Sequence, residues 1–463
     1  MNSNSTDRSI PTHAKALILL VSYAFYPANE IGARRTTALA KYLVTQGYRV
    51  AVVSSFGGLD VTMGSQILPG ITAIPVPPPP KTLIKSIVAL KKCLTKLFGR
   101  SSAPSPSTTS KNFPTNVIPK GTFKNIFFRI LCFVDEYKRW SWRASRATID
   151  VARQHTPVVI ISSGPPHTAL LAGTLAARTL HIPHIADLRD PWTDCVTANP
   201  NRRLDYLLQR PLEKWVIRSA ACITSAGAMV AEQLAKRFSD SQGKVHLVRN
   251  GYDGDCTNVP QNPERTLSIL FAGELYLGRD PFPILEALER LLQRSDVDAT
   301  RIKVTFMGRV DHYDGRSLSD WLVGTRLSQS MTLVSHSPAE VVKQAAMDAT
   351  VLLNLAQRQP YSVPAKTYEH LTLGREILIF CENDSETACL VKGIKGINQV
   401  DPTEPLQLDR VLLELYRRHA VEGRIISPSA DEIHNFSRAT ANREFLRLIK
   451  DTLNISHNVR HMA

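Results

Sequence analysis

The chain has 463 residues, more than one hydrophobic core supports, so two or three domains are expected. Its 43% hydrophobic and 21% charged residues describe an ordinary globular protein, and no apolar run reaches the roughly eighteen residues that a membrane-spanning helix needs. A net charge of +15 leaves nucleic acid, anionic membranes and phosphorylated small molecules as partners, whereas seven cysteines without a CxxC or a Cys/His cluster argue against a zinc framework and for buried thiols in a reducing cytoplasm.

The first residues, Met1 to Asp7, are polar and lack the basic flank and apolar centre of an export signal, so none is expected, and residues 1–14 read as a disordered N-terminus. Ala16–Ser22 then reads as a fully buried strand, Thr37–Gln46 as a helix ended by Gly47, and Tyr48–Ser54 as the next strand. This βαβ unit belongs to the doubly wound α/β class, in which the loops after the strands bind ligands. Gly32, Arg34 and Arg35 are therefore cleft candidates, with a solvated first helical turn as the alternative for the arginines. No G-x-G-x-x-G follows the first strand, which weakens a dinucleotide-oxidoreductase reading.

The pattern breaks from about 76 to 125. After the Pro77–Pro80 run, residues 81–100 carry Leu83, Ile84, Ile87, Val88, Leu94, Leu97 and Phe98 at helical spacing, with Lys81, Lys85, Lys92 and Lys96 largely off that stripe. Such a basic amphipathic helix suits an anionic membrane surface. Residues 101–120 are Ser/Pro/Thr/Lys-rich and read as disordered, and 124–134 adds a second apolar, positively flanked segment. The alternative is an ordinary insertion packed on its domain. The basic residues are not interleaved with exposed aromatics or set in a DNA-binding motif, so nucleic acid is not expected as a partner.

The βα alternation resumes with a helix over 140–154, a strand over 158–163 and a helix over 168–179. A strand at His184–Asp187 follows, with the loop Leu188–Trp192 beyond it. His167, Asp187, Arg189 and Asp190 are thus placed at one sheet edge, unless Arg189 and Asp190 form a structural ion pair and His167 merely begins a helix. A helix over 203–218, a strand over 221–225, a helix over about 227–237 and a strand over 245–248 lead to Asn250-Gly251, read as a turn with positive φ. The polar stretch 253–265 reads as a linker.

A second βα series starts at Leu267–Gly273, followed by the loop Glu274–Asp280 and a helix from Pro281. Strands are expected at 302–308 and 331–334, and a helix at 338–347. Ala349–Ala356 reads as a buried strand, and Pro364 opens and Gly374 closes a helix before the strand Ile377–Phe380. Lys366 and Glu369, three residues apart, share a face. A lysine in a first helical turn opposes the helix dipole, and a bound anion removes that conflict. Glu369 is then placed to accept hydrogen bonds from ligand hydroxyls. The bland alternative is a solvated pair on an exposed face. Helices near 385–391, 406–419 and 431–453 complete the chain.

Six stretches together resemble the GT-B glycosyltransferases of family 4, in particular the bacterial polysaccharide subfamily. They are Tyr26-Pro27 with Gly32–Arg35, Ser162–His167, Ile185–Trp192, Val248–Asp253, Phe271–Arg279 and Val363–Glu369. The resemblance implies an α/β GT-B fold, with two Rossmann-like doubly wound domains facing across a cleft. These would be an acceptor domain over 15–262, a nucleotide-sugar domain over 263–430, and a C-terminal helix and tail over 431–463 that crosses back.

It also implies a metal-independent, retaining, hexosyltransferase-type enzyme with no cofactor, the nucleotide-diphosphate sugar being a substrate. The acceptor would be a saccharide or lipid-linked saccharide in cell-surface polysaccharide synthesis. The protein would lie on the inner face of the cytoplasmic membrane, anchored through residues 81–100. Gly273, Arg279, Lys366 and Glu369 would hold the donor, with Arg279 and Lys366 stabilising the leaving diphosphate, and Glu369 matches the second glutamate of the E-x7-E motif. Arg189 stands near the family's cleft histidine. Two departures stand out: Tyr361 replaces the motif's first glutamate, and Glu274 replaces a basic residue after Gly273. A non-hydrolysing nucleotide-sugar epimerase and a non-catalytic subunit of a glycosyltransferase complex are the alternatives.

Overall fold

The computed structural model describes residues 16–28, 31–78, 137–193, 203–257, 262, 264–276 and 278–462. The expectations for residues 1–14, for the basic helix 81–100, for 101–120 and for 124–134 lie outside the described residues. The chain forms two compact units, one of Met1–Leu188, Trp192–Ile223 and Asp451–Ala463, the other of Arg189–Pro191 and Thr224–Lys450.

In the first unit the apolar runs form strands buried on both faces, as in a parallel sheet covered by helices. The strands are β1 (Leu17–Ser22), β2 (Arg49–Ser54), β3 (Gln66–Leu68), β4 (Ile71–Pro75), β5 (Val159–Gly164), β6 (His184–Leu188) and β7 (Cys222–Ser225). They stand in the order β3-β4-β2-β1-β5-β6-β7. All the pairs from β4 to β6 are parallel, and β3 pairs antiparallel with β4. The helices are α1 (Ile31–Thr45), α2 (Lys138–His155), α3 (Thr168–Leu180) and α4 (Arg203–Ser219). Trp140, fully buried, fixes α2 by donating from its indole to the Val76 carbonyl at 2.8 Å. Helix α1 starts at Ile31, six residues before the sequence-based start. The hairpin β3–β4 was not anticipated from the sequence.

The second unit begins with the end of β7, α5 (Ala228–Arg237) and β8 (Val245–Leu247). Its six-stranded sheet contains β9 (Leu267–Glu274), β10 (Ile302–Arg309), β13 (Met331–Val334), β14 (Val351–Leu355), β15 (Glu376–Phe380) and β16 (Ile397–Val400). The order is β13-β10-β9-β14-β15-β16, all parallel. A two-stranded hairpin, β11 (His312–Tyr313) and β12 (Arg316–Ser317), lies outside it. Helices α6 (Phe282–Leu292), α7 (Leu318–Leu322), α8 (Ala339–Asp348), α9 (Ala365–His370), α10 (Glu386–Val391), α11 (Pro405–Tyr416), α12 (Ala430–Ile433) and α13 (Arg438–Met462) follow. The core packs Ile284, Leu285, Leu288 and Leu291 of α6 and Leu408, Leu412 and Leu415 of α11 on one sheet face.

Two expectations need correction. The final helix is not continuous from 431, because a 3-10 turn at His434–Phe436 and an extended Ser437 separate α12 from α13. Gly251 does not adopt positive φ. Its glycine serves close approach instead: a Cβ there would lie 2.7 Å from both the Phe436 oxygen and the Arg438 nitrogen. That contact brings Tyr252 into a parallel bridge with Ser437, with Tyr252 N donating to Phe436 O at 3.0 Å and Arg438 N to Tyr252 O at 2.8 Å. Gly374, by contrast, closes the α9 segment at φ +64, as the helix-end reading requires.

Candidate functional site

The sequence candidates fall into two sets, one in each unit. In the first unit, Asp187 at the end of β6 is buried and fully engaged. Its carboxylate accepts from the Arg35 guanidinium at 2.9 and 3.1 Å and from the Ser163 hydroxyl at 2.7 Å. Arg35, on α1, is itself only 6% exposed, so the pair is a buried, bidentate ion pair. Two strand ends and a helix start are thereby tied together at one sheet edge. His167, at the start of α3, stacks on Trp192 with ring centroids 4.9 Å apart. Trp192 in turn donates to Gln209 at 2.9 Å. Gly32 is half-buried and Arg34 exposed on α1. Arg189 and Asp190, half-buried in the loop after β6, cluster with the second unit.

In the second unit, β9, β14 and the loops that follow them bring Gly273, Arg279 and Lys366 together. Lys366, in the first turn of α9, donates from its ammonium to the Ala272 carbonyl. A Cβ on Gly273 would stand 3.8 Å from Lys366 Nζ, in ordinary contact, so the Gly273 backbone lies beside the ammonium. Gly308 is paired with Gly273 across β9 and β10, at φ +122, and a Cβ on it would collide with the Gly273 carbonyl oxygen. The sheet edge beside Lys366 is thus bare backbone.

Burial lowers the Lys366 pKa, the nearby Glu369 carboxylate opposes that shift, and the positive charge of Arg279 adds a smaller lowering. Two cations therefore share a desolvated place, the electrostatic condition that an anion relieves. Arg279 lies over the Tyr276 ring at 4.5 Å, and its buried Nε has no hydrogen-bond partner. Glu369, one turn deeper, is exposed. His370 is buried behind the lysine with its pKa pushed down to about 3, by burial first and then by Lys366, so it stays neutral. Among the described residues no group of three or more His, Cys, Asp or Glu is placed to hold a metal ion.

The two departures noted in the sequence take on a shape. Glu274 pairs with Arg309 at 3.1 Å, because β9 and β10 place these residues in register, so a guanidinium accompanies the acidic replacement. Tyr361 is half-buried in the loop 357–364 that runs into α9. That loop is fastened to the Arg279 loop by Gln357, whose Nε2 donates to the Asp280 carbonyl at 2.7 Å. Ser163, Trp192 and Gln357 were not singled out from the sequence. Ser163 and Trp192 lie inside quoted motifs, but Gln357 carried no local signal.

The family model described as glycosyl transferase 4-like domain matches residues 125–251. Solved structures match over nearly the whole length. An alpha,alpha-trehalose 6-phosphate synthase from Burkholderia multivorans is 10% identical, with a TM-score of 0.60, covering 97% of this chain and 99% of that one. The lipopolysaccharide outer core galactosyltransferase WaaB is 13% identical, with a TM-score of 0.55, covering 94% and 99%. Anabaena HepE, in complex with UDP-glucose, is 11% identical, with a TM-score of 0.52, covering 95% and 99%. No curated protein matches the sequence. The chain thus has the GT-B fold, and its residues 125–251 are similar to the glycosyl transferase 4-like domain.

Proposed function

We propose that the protein is a retaining, metal-independent glycosyltransferase of hexosyltransferase type. It moves a sugar from a nucleotide-diphosphate sugar to a saccharide or lipid-linked saccharide in cell-surface polysaccharide synthesis. The observation that carries the reading is the convergence of the Lys366 ammonium and the Arg279 guanidinium beside the bare Gly273 edge of β9. A diphosphate bound there neutralises two cations that otherwise repel, and the same pair stabilises the charge that develops on the leaving diphosphate. Glu369, exposed on the same short helix, is placed for the ribose hydroxyls. Front-face displacement needs no strong protein nucleophile, since the leaving phosphate oxygen takes the acceptor proton as the new glycosidic bond forms. Arg189, His167, Asp190, Gly32, Arg34 and the Arg35–Asp187 pair belong to the acceptor side of this reading, with Arg189 assisting catalysis.

The acceptor end of the proposal includes an anionic membrane surface on the cytoplasmic side, contacted through residues 81–100. The exposed side of α2 agrees in chemistry: Arg139, Trp142, Arg143 and Arg146 are exposed there, Trp142 by 56%. Among the described residues no helix is long and apolar enough to cross a membrane.

UDP-glucose, the ligand of the Anabaena protein, is the first donor to try. Donor hydrolysis or transfer is compared between wild type and Lys366→Ala, Arg279→Ala and Glu369→Ala. Loss of turnover in all three supports the assignment, and wild-type rates in all three overturn it.

A further inference from the structure

Glu386 carries no part of the proposed chemistry, yet both of its carboxylate oxygens are engaged. It is fully buried at the first position of α10. Its two oxygens accept from the Ala228 and Met229 amides, both at 2.7 Å, and from the Arg249 guanidinium at 2.9 Å. The amides are the first two of α5, a ten-residue helix whose preceding residue, Gly227, makes no side-chain cap. A carboxylate on a helix N-terminus and a guanidinium at once is held by charge as well as by hydrogen bonds.

The same residue also holds the ligand-side loop. Its backbone N–H donates to the Pro360 carbonyl at 2.7 Å, and the next residue, Thr387, donates from its hydroxyl to the Ser362 carbonyl at 3.4 Å. Between those two carbonyls stands Tyr361. Its own carbonyl packs on Gly227, 3.4 Å from where a Cβ would be, and Glu386 Cδ is 3.3 Å from the same point. Glu386 therefore joins three pieces of backbone: its carboxylate holds the start of α5, while its own N–H, at the start of α10, holds the loop 357–364. Four residues after Ser362 comes Lys366.

We propose that Glu386 is a positioning residue of the nucleotide-sugar site. Clamped on α5 and Arg249, it fixes the 357–364 loop and thereby the approach of Tyr361 and Lys366 to the ligand. This rests on the glycosyltransferase reading for its ligand, but not for its mechanics. Glu386→Gln keeps the shape, removes the charge and turns one acceptor into a donor facing donors.

Hydrogen exchange is measured over residues 355–370 in the full-length protein, beside a core truncation, Leu408→Ala, that lowers stability without touching the loop. UDP affinity is measured by calorimetry on the same samples. The expected result is at least tenfold faster exchange in 357–364 for Glu386→Gln, not seen in Leu408→Ala, with UDP binding at least tenfold weaker. Should Glu386→Gln not fold, Arg249→Gln, which leaves both amide donors in place, is read the same way. Exchange in the loop equal to wild type, or raised only in step with Leu408→Ala, overturns the proposal. A wild type that ignores UDP and other nucleoside diphosphates counts against the functional reading alone, because the exchange result still decides the clamp.

Discussion

Replacing Lys366 by Met separates a binding role from a structural one, because the two predict opposite signs. The ammonium donates a hydrogen bond to the Ala272 carbonyl; burial penalises its charge most, with Glu369 opposing and Arg279 adding a smaller penalty. Its pKa in the fold is lowered from the usual 10.5, so the unfolded chain holds the proton more tightly. Charged Lys366 therefore costs stability at neutral pH, and that cost is relieved as pH rises from the lowered value to 10.5, above which both states are neutral. Methionine fills a similar volume without that cost, so Tm should hold or rise.

Nucleotide binding should move the other way. A hydrogen bond between a charged donor and a phosphate contributes about 1.5–3 kcal/mol. Its loss corresponds to a roughly 10- to 150-fold weaker Kd for a nucleoside diphosphate. Calorimetric titration with UDP alongside a thermal melt checks both. A Kd within twofold of wild type refutes the placement of Lys366 in the site. A parallel fall in Tm and affinity refutes the claim that its charge is held there for a ligand.

Other outcomes follow from the same geometry. Diphosphate binding should raise the Lys366 pKa again, so complex formation takes up a proton between the lowered value and 10.5. Calorimetry near the alkaline end in two buffers of different ionisation enthalpy reads this uptake, and affinity should fall as pH rises through that window. Arg35→Met leaves Asp187 charged and buried, and should cost about 3–5 kcal/mol of stability in a denaturant melt. Arg35→Met with Asp187→Leu should recover much of that loss. Gly251→Ala should lower Tm, since the added methyl meets backbone atoms of Phe436 and Arg438 at 2.7 Å. Deleting residues 81–100 should release the protein from anionic liposomes in a sedimentation assay, and equal retention of the deletion counts against the membrane reading.

The architecture was legible because the strands of both sheets are nearly uninterrupted apolar runs, which a doubly covered parallel sheet requires. Leu17–Ser22 and Val351–Leu355 are examples. Short polar strands were not legible. Gln66–Leu68 and His312–Tyr313 bury little and pair only locally, so their sequences resemble loops. Helix α1 was read six residues short because Ile31–Thr36 mixes glycine, alanine and two arginines, with no apolar stripe to mark the period. In Asn250-Gly251 the local rule gave the right residue for the wrong reason. The pair suggested a positive-φ turn, whereas the glycine is required by a segment nearly two hundred residues away in the chain.

At the site, the first turn of α9 was readable because a lysine against a helix dipole is locally anomalous. Its neighbours were not. Arg279 and Lys366 are brought together by parallel pairing of β9 with β14, and no spacing in the sequence encodes that. Glu386 read as an ordinary helix start, since its three acceptor contacts come from residues more than 130 positions away.

The central claim, transfer of a sugar from a nucleotide donor, is tested most directly by following donor turnover by NMR with UDP-glucose and related donors beside a lipid-linked saccharide acceptor. The expected result is acceptor-dependent release of the nucleoside diphosphate with the anomeric configuration retained in the product, abolished by Arg279→Ala. Inversion at the anomeric centre, epimerisation of the donor without an acceptor, or binding with no turnover of any donor would contradict it.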